Sequence, residues 1–311
     1  MNATGIISVI IPAFNEEGMI HKTSNVIHSL LEKEAIPHEL IFVDDGSKDG
    51  TWRLIEEIAK MEECVRGIHF SRNFGKESAI IAGLTEAVGE CSVVIDCDLQ
   101  HPPEKIVEMY RLWEEGYEIV EAVKTDRGTE SKFHEFAANM FYGIMTNATK
   151  IDMKAASDFK LLDRKAVLVL INMREKDSFF RALSSWVGFK SIQIPFEVQE
   201  RECGESKWST YSLIKYAISN ITSFSTAPMQ IVTGLGALML LIGVIFSGIA
   251  LVQKIMGIAV AGFTTVIILQ LFSSSIIMLS IGILGYYIAK IYEQCKDRPR
   301  FIISKMVGKH D

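Results

Sequence analysis

Ser92-Val93-Val94-Ile95-Asp96-Cys97-Asp98 decides how the rest of this chain reads. Four residues, three of them apolar and β-branched, run into two carboxylates separated by one residue. On an extended chain, side chains two apart share a face, so Asp96 and Asp98 point the same way and Cys97 points the other way. The end of a buried strand is where open α/β sheets place ligands. Two converging carboxylates repel each other, and a hard divalent cation relieves that repulsion. Mg²⁺ and Mn²⁺ take oxygen ligands and often share them with substrate phosphates.

Similar runs lie upstream. Ile6-Ile7-Ser8-Val9-Ile10-Ile11, closed by Pro12, reads as a strand buried on both faces. Leu40-Ile41-Phe42-Val43 and Gly67-Ile68-His69-Phe70 read as two more. Helical stretches fall between them, at roughly 17–33, from Asp49-Gly50-Thr51 to about Met61, and from about Lys76 to Val88. Pro102-Pro103 opens another helix at a position proline tolerates. Four strand-helix alternations predict a mostly parallel α/β sheet, a Rossmann-like domain with helices on both faces. Its ligand edge collects Phe14 to Glu16, Asp44-Asp45, Arg72-Asn73 and Asp96 to Gln100.

The C-terminal third is different. Residues 206–226 interleave Tyr211, Leu213, Ile214 and Tyr216 with polar residues, which fits either an amphipathic helix at a membrane surface or a plain surface helix. Met229 to Val252 and Thr264 to Ala289 carry no charge over 24 and 26 residues, enough for two membrane spans. From Lys290 onward there are six Lys/Arg against three acidic residues, and the link between the spans has almost none. That asymmetry predicts a hairpin with both termini in the cytoplasm. The expected organisation is a catalytic domain over 1–205, an interfacial helix over 206–228, a transmembrane hairpin over 229–290 and a basic tail over 291–311.

A net charge of −6 argues against a nucleic-acid binder. Five cysteines without a CxxC argue against a disulfide framework or a zinc site. The stretch after the first run, Pro12-Ala13-Phe14-Asn15-Glu16-Glu17, lacks the GxGxxG of dinucleotide-dependent oxidoreductases.

Six segments in order resemble the family 2 glycosyltransferases of polyprenyl-phosphate type, the group of dolichyl-phosphate mannose synthases and bacterial undecaprenyl-phosphate glucosyltransferases. They are Val9 to Glu17, Val43 to Thr51, Ser71 to Lys76, Asp96 to Glu104, Ser157 to Arg164 and Arg201 to Trp208. The resemblance covers almost the whole chain. It implies a GT-A fold in an integral membrane protein of a bacterial inner membrane, and a homo-oligomer. It implies metal-dependent, inverting transfer of a sugar from a UDP-sugar, UDP-glucose first, to a polyprenyl phosphate such as undecaprenyl phosphate. UDP-N-acetylhexosamine, UDP-aminoarabinose and GDP-mannose stay open as donors. A processive polysaccharide synthase would need a Gln-x-x-Arg-Trp motif, and Arg181 and Trp186 are too far apart to supply it. An inactive membrane scaffold is the non-enzyme alternative.

By the same resemblance, Pro12, Phe14, Glu16, Asp44 and Lys76 bind the nucleotide sugar together with Asp96 and Asp98. The Mg²⁺ or Mn²⁺ ligands are Asp96, Asp98 and Gln100. Arg127, Arg201 and Lys207 meet the acceptor phosphate, with Lys132 and Arg181 as weaker candidates, because Arg grips phosphate oxygens in bidentate fashion and Lys as a point charge. Asp158, Asp98 and Arg201 carry catalysis. From sequence alone, Asp158 also reads as a helix N-cap, and Asp45 to Ser47 as a tight turn that leaves Asp44 for the ligand. His101, before two prolines, reads as a turn residue.

Overall fold

The computed structural model describes residues 5–124, 157–173, 180–197, 227–257 and 262–308. The chain divides into two compact units, Met1–Thr210 with Pro299–Asp311, and Tyr211–Arg298.

The first unit alternates as expected: β1 (Ile7–Ala13), α1 (Ile20–Lys33), β2 (His38–Asp44), α2 (Thr51–Met61), β3 (Val65–Phe70), α3 (Lys76–Glu86), β4 (Cys91–Val94) and α4 (Glu104–Glu114). It continues with β5 (Ile119–Lys124), β6 (Lys160–Asp163), α5 (Arg164–Asn172), α6 (Phe180–Trp186) and β7 (Ser191–Phe196). The strand order is β7-β5-β6-β4-β1-β2-β3-β8, where β8 (Ile303–Val307) follows the second unit. The four strands expected from sequence form the parallel centre β4-β1-β2-β3. Ile7, Val9, Ile10, Ile11, Leu40, Ile41, Phe42, Val93 and Val94 are fully buried there, which is why the runs read as continuous rather than alternating.

Two details correct the sequence reading. Pro12 lies inside β1 and does not end it. In a parallel ladder, successive residues bond to opposite neighbours. Ile10 O accepts from Ile95 N on the β4 side, and Ala13 O accepts from Asp45 N on the β2 side. The missing N–H of Pro12 therefore faces β4, whose pairing with β1 has already stopped at Ile10↔Val94. Second, the stretch expected as a tail contains β8, antiparallel to β3 with His69 opposite Lys305. None of its five residues is buried, so it carries no core signal; an edge strand is held mainly by backbone bonds.

The second unit contains α7 (Ala227–Ile255) and α8 (Phe263–Cys295). Each includes 24 residues long and apolar enough to cross a membrane, Val232–Ile255 and Phe272–Cys295. Such a segment is about 36 Å long against a hydrocarbon core of about 30 Å. Large apolar side chains such as Leu240, Val244, Met278 and Ile288 are exposed on these helices, an arrangement suited to lipid and not to water. The chain is membrane-associated. Residues 206–226 of the expected interfacial helix lie outside the described residues.

Candidate active site

The strand order reverses between β1 and β4, and their pairing ends at Ile10 and Val94. Open α/β sheets bind ligands at such a switch point, and the motif residues follow these strand ends. After β4 the chain turns at Cys97-Asp98, and Leu99 takes a φ of +54°. Ile95, Cys97 and Leu99 are buried, whereas Asp96, Asp98 and Gln100 are half-exposed. Thr23 of α1 donates to Cys97 O at 2.7 Å and holds this segment down. Asp98 Oδ1 accepts from Gln100 N at 3.1 Å, which bends the chain around the carboxylate.

The loops after β1 and β2 are sewn together. Asn15 N donates to Ser47 Oγ at 2.8 Å, Glu16 N to Thr51 Oγ1 at 2.9 Å, and Lys48 N to Asn15 Oδ1 at 2.9 Å. Pro12, Phe14 and Glu16 line this rim half-buried. Both paired aspartates bond within the protein, and Asp44 takes part in the turn that the sequence reading assigns to Asp45 to Ser47. Asp44 is the turn former: its Oδ1 accepts from Ser47 N at 2.9 Å, and its Oδ2 lies 2.7 Å from His69 Nδ1, with no exposed surface. Asp45 reaches across to the loop before α3 and accepts from Phe74 N at 2.6 Å and Gly75 N at 2.9 Å. Burial raises the Asp45 pKa, and those two amides oppose the rise. Gly46 makes the close approach possible. Its φ is +69°, and a Cβ there would lie 2.5 Å from the Arg72 carbonyl carbon.

This clamp fixes where α3 begins, and its first residue is Lys76. A cation in the first helical turn opposes the helix dipole. Two carboxylates compensate: Lys76 Nζ lies 2.6 Å from Asp96 Oδ1 and 2.8 Å from Asp158 Oδ2. Arg181 of α6 completes the cluster, with Nε 2.7 Å from Asp158 Oδ1 and Nη2 3.0 Å from Asp158 Oδ2. Burial alone would raise the Asp158 pKa. The Lys76 and Arg181 charges overcome it and hold the carboxyl far below the usual range. Burial likewise would lower Lys76, and Asp96 and Asp158 push it up instead. Asp96 is lowered despite burial, by Lys76 and then His101.

Asp158 is not a helix N-cap. It precedes β6, and α5 is capped by Asp163, whose Oδ1 accepts from Lys165 N at 2.9 Å. His101 is more than a turn residue: it is buried, stacks on Phe159 with ring centroids 5.1 Å apart, and holds Nδ1 4.0 Å from Asp96 Oδ2. Two groups escaped sequence reading. Glu77, beside Lys76, accepts from Phe180 N at 2.8 Å, and burial followed by the Asp158 charge pushes its carboxyl up to about 7. Lys160 is fully buried, 2.9 Å from Glu121 Oε1 and 2.9 Å from Ser184 Oγ, and ties β5 and β6 to α6 beneath Arg181. Neither carries a motif, since both depend on contacts distant in sequence. Arg127, Arg201 and Lys207 lie outside the described residues.

A sheet switch point with half-exposed carboxylates and cations beside it defines an α/β enzyme that handles an anionic substrate. Residues 8–168 match Glycosyl transferase family 2, and the chain belongs to that family. It is a glycosyltransferase, and the sheet is the expected GT-A fold. It is 39% identical over 303 residues to the glycosyltransferase YkcC of Bacillus subtilis, covering 97% of this chain and 94% of that one. It is 34% identical to the prophage bactoprenol glucosyl transferase homolog of Escherichia coli, covering 96% and 99%. It is 33% identical to the bactoprenol glucosyl transferase of Shigella phage SfII, covering 96% and 97%. Among solved structures, glucosyl-3-phosphoglycerate synthase of Mycobacterium tuberculosis, in complex with Mn²⁺, UDP and phosphoglyceric acid, is 20% identical with a TM-score of 0.49 over 70% of this chain and 78% of that one.

Proposed function

We propose that this chain transfers glucose from UDP-glucose to a polyprenyl phosphate, undecaprenyl phosphate in a bacterial membrane, with inversion at the anomeric carbon. The observation that carries the reading is the set of half-exposed oxygen donors Asp96, Asp98 and Gln100 just past β4 at the β1–β4 switch point, backed by the Lys76-Asp158-Arg181 cluster. The lipid acceptor is supported by relatives named bactoprenol glucosyl transferase that match along nearly their whole length.

The donor set is carboxylate and amide oxygen, which suits Mg²⁺ or Mn²⁺ and not a thiol-seeking metal. A divalent ion held there supplies Lewis-acid stabilisation of the departing nucleoside diphosphate. Pro12, Phe14 and Glu16 form the rim where a base and ribose rest, and Glu16 has a carboxylate for ribose hydroxyls. Asp44 supports that rim from below by fixing the turn. Lys76 and Arg181 offset phosphate charge, and Arg127, Arg201 and Lys207 are assigned to the acceptor phosphate.

That phosphate has a second pKa near 6, so at pH 7 it is largely ionised and needs little help from a base. One of its oxygens forms the new bond to the anomeric carbon while the bond to the diphosphate oxygen breaks on the opposite face. Asp158, ionised and gripped by two cations, fits a fixed anion that orients Lys76 and Arg181 better than it fits a proton acceptor.

Both termini are assigned to one side of the membrane. The chain leaves the sheet domain before α7 and returns to pair β8 with β3, which supports an even number of crossings and both termini on one side, the cytoplasm by the charge asymmetry.

The test is radiolabel transfer from a panel of UDP- and GDP-sugars to undecaprenyl phosphate by the full chain in detergent, with Mn²⁺ or Mg²⁺ and with EDTA. A mild-acid-labile glycolipid from UDP-glucose, abolished by EDTA, is expected. Product from another donor alone would overturn the sugar. UDP binding without any lipid product would overturn the acceptor.

A further inference from the structure

Away from the switch point, at the opposite ends of the strands, three metal-ligating side chains meet. His28 lies within α1, His38 is the first residue of β2, and Cys64 immediately precedes β3. One ligand atom from each lies within 4.8 Å of the other two. His28 Nδ1 is 2.9 Å from His38 Nε2 and 3.5 Å from Cys64 Sγ. Nothing in the proposed reaction uses them.

The ring nitrogens on the far sides are also placed. His38 Nδ1 is 2.8 Å from Ile36 O. A carbonyl only accepts, so Nδ1 carries the proton and Nε2 presents a lone pair to the cluster. His28 Nε2 faces two carboxylates, Glu32 at 3.9 Å and Glu62 at 4.0 Å. Those distances are longer than a hydrogen bond and do not fix the His28 tautomer. His38 is held in the tautomer a metal requires, with a carbonyl behind it. Metal-binding histidines usually show this outer arrangement. Without a metal, His28 in its Nδ1–H tautomer donates to His38 Nε2 at 2.9 Å. A proton does not explain the sulfur that completes the triangle.

The geometry points to a second metal site, in which His28 Nδ1, His38 Nε2 and Cys64 Sγ bind a borderline-soft divalent ion of the zinc class, with water in the fourth position. Tetrahedral coordination at about 2.0–2.1 Å to nitrogen and about 2.3 Å to sulfur spaces ligand atoms roughly 3.3–3.6 Å apart, within small side-chain rotations of the observed triangle. The absence of CxxC misleads here, because the three ligands come from three elements that only the sheet brings together. The site is chemically distinct from the oxygen donors Asp96 and Asp98 and would staple α1 to the entries of β2 and β3.

Co²⁺ is the probe, because a bound thiolate gives a near-ultraviolet charge-transfer band and tetrahedral geometry gives strong visible bands. Full-length protein in detergent is stripped with EDTA, returned to Mg²⁺, and titrated with Co²⁺, followed by displacement with Zn²⁺. One equivalent per chain with both bands is expected. Cys64→Ser should lose the charge-transfer band, His38→Ala should weaken Co²⁺ binding at least tenfold, and Asp98→Asn should retain both signals. A charge-transfer band that survives in Cys64→Ser, or an absence of tetrahedral bands in folded wild-type protein, would overturn the assignment. Circular dichroism of each variant separates lost binding from lost fold, and Cys64→Ser changes only one atom of a partly exposed side chain.

Discussion

Asp158→Asn tests the charge cluster most directly, because it removes one charge and keeps the shape. The carboxylate is 7% exposed, and its partners Arg181 and Lys76 are 33% and 40% exposed. Removing one member of a fully buried pair costs about 3–5 kcal/mol. Here the two cations left behind regain water, so the cost falls to about 2–3 kcal/mol. The asparagine amide also cannot accept from both sides, and one of its N–H groups must face a cation. For a domain of this size, about 2–3 kcal/mol lowers Tm by roughly 5–10 °C. The assay is thermal unfolding of the full chain in detergent, paired with lipid-linked sugar formation at a temperature where both proteins are folded. Turnover should fall at least a hundredfold while nucleotide binding persists. Arg181→Met should lower stability too, and the double variant should be less destabilised than the sum of the singles, because the two share one interaction. Additive losses, or a Tm shift below about 2 °C with full turnover, would refute the view of Asp158 as the anion that holds Lys76 and Arg181 in place.

Asp96→Ala and Asp98→Ala should each abolish metal-dependent UDP binding, read by calorimetry with and without EDTA; near-normal binding in either would sink the metal assignment. Glu77 has its carboxyl raised from 4.5 to about 7, so its cost to the fold is absent below 4.5, grows as the unfolded chain ionises first, and is fully present above 7. Glu77→Gln should therefore raise Tm at pH 8 and leave it unchanged at pH 4.5, as a pair of melting curves would show. Gly46→Ala adds a Cβ at positive φ against the Arg72 backbone and should cost about 2–3 kcal/mol, visible as a lower Tm together with weaker UDP binding. Lys207→Ala should raise the KM for lipid phosphate more than that for the nucleotide sugar in steady-state kinetics.

The parallel centre of the sheet was legible because β1 to β4 are buried on both faces, and such strands appear as unbroken apolar runs. The later strands were not. β7 alternates exposed and buried positions, β6 lies inside the sheet but has only four residues, and β8 has no buried residue. Short strands and edge strands draw their stability from backbone pairing with a neighbour already in place, and that neighbour lies far away in sequence. The oxygen donors were legible for the opposite reason: Asp96, Asp98 and Gln100 lie within five residues of one another, although a turn at Cys97-Asp98 joins them and not the straight strand end that the alternation suggested. Lys76 and Asp158 are 82 residues apart, and Asp158 and Arg181 are 23 apart. Their meeting depends on the clamp that starts α3 and on the packing of α6 over β6.

The same distinction applies at Asp44-Asp45. A tight turn predicts that some acidic side chain caps a nearby amide, and either residue satisfies that rule locally. The choice is made by β3. His69 stands opposite Asp44 in the β2–β3 register, so the strand-end carboxylate turns inward to the ring and to Ser47. Asp45, one residue later, is left facing the loop that leads into α3. The consequence reaches the chemistry, because Asp45 holds Phe74 and Gly75, Gly75 starts α3, and α3 delivers Lys76 to Asp96 and Asp158. A residue that reads as turn-forming thus acts two contacts away from the site. Asp45→Asn should accordingly disturb Lys76 while leaving the β2 turn intact.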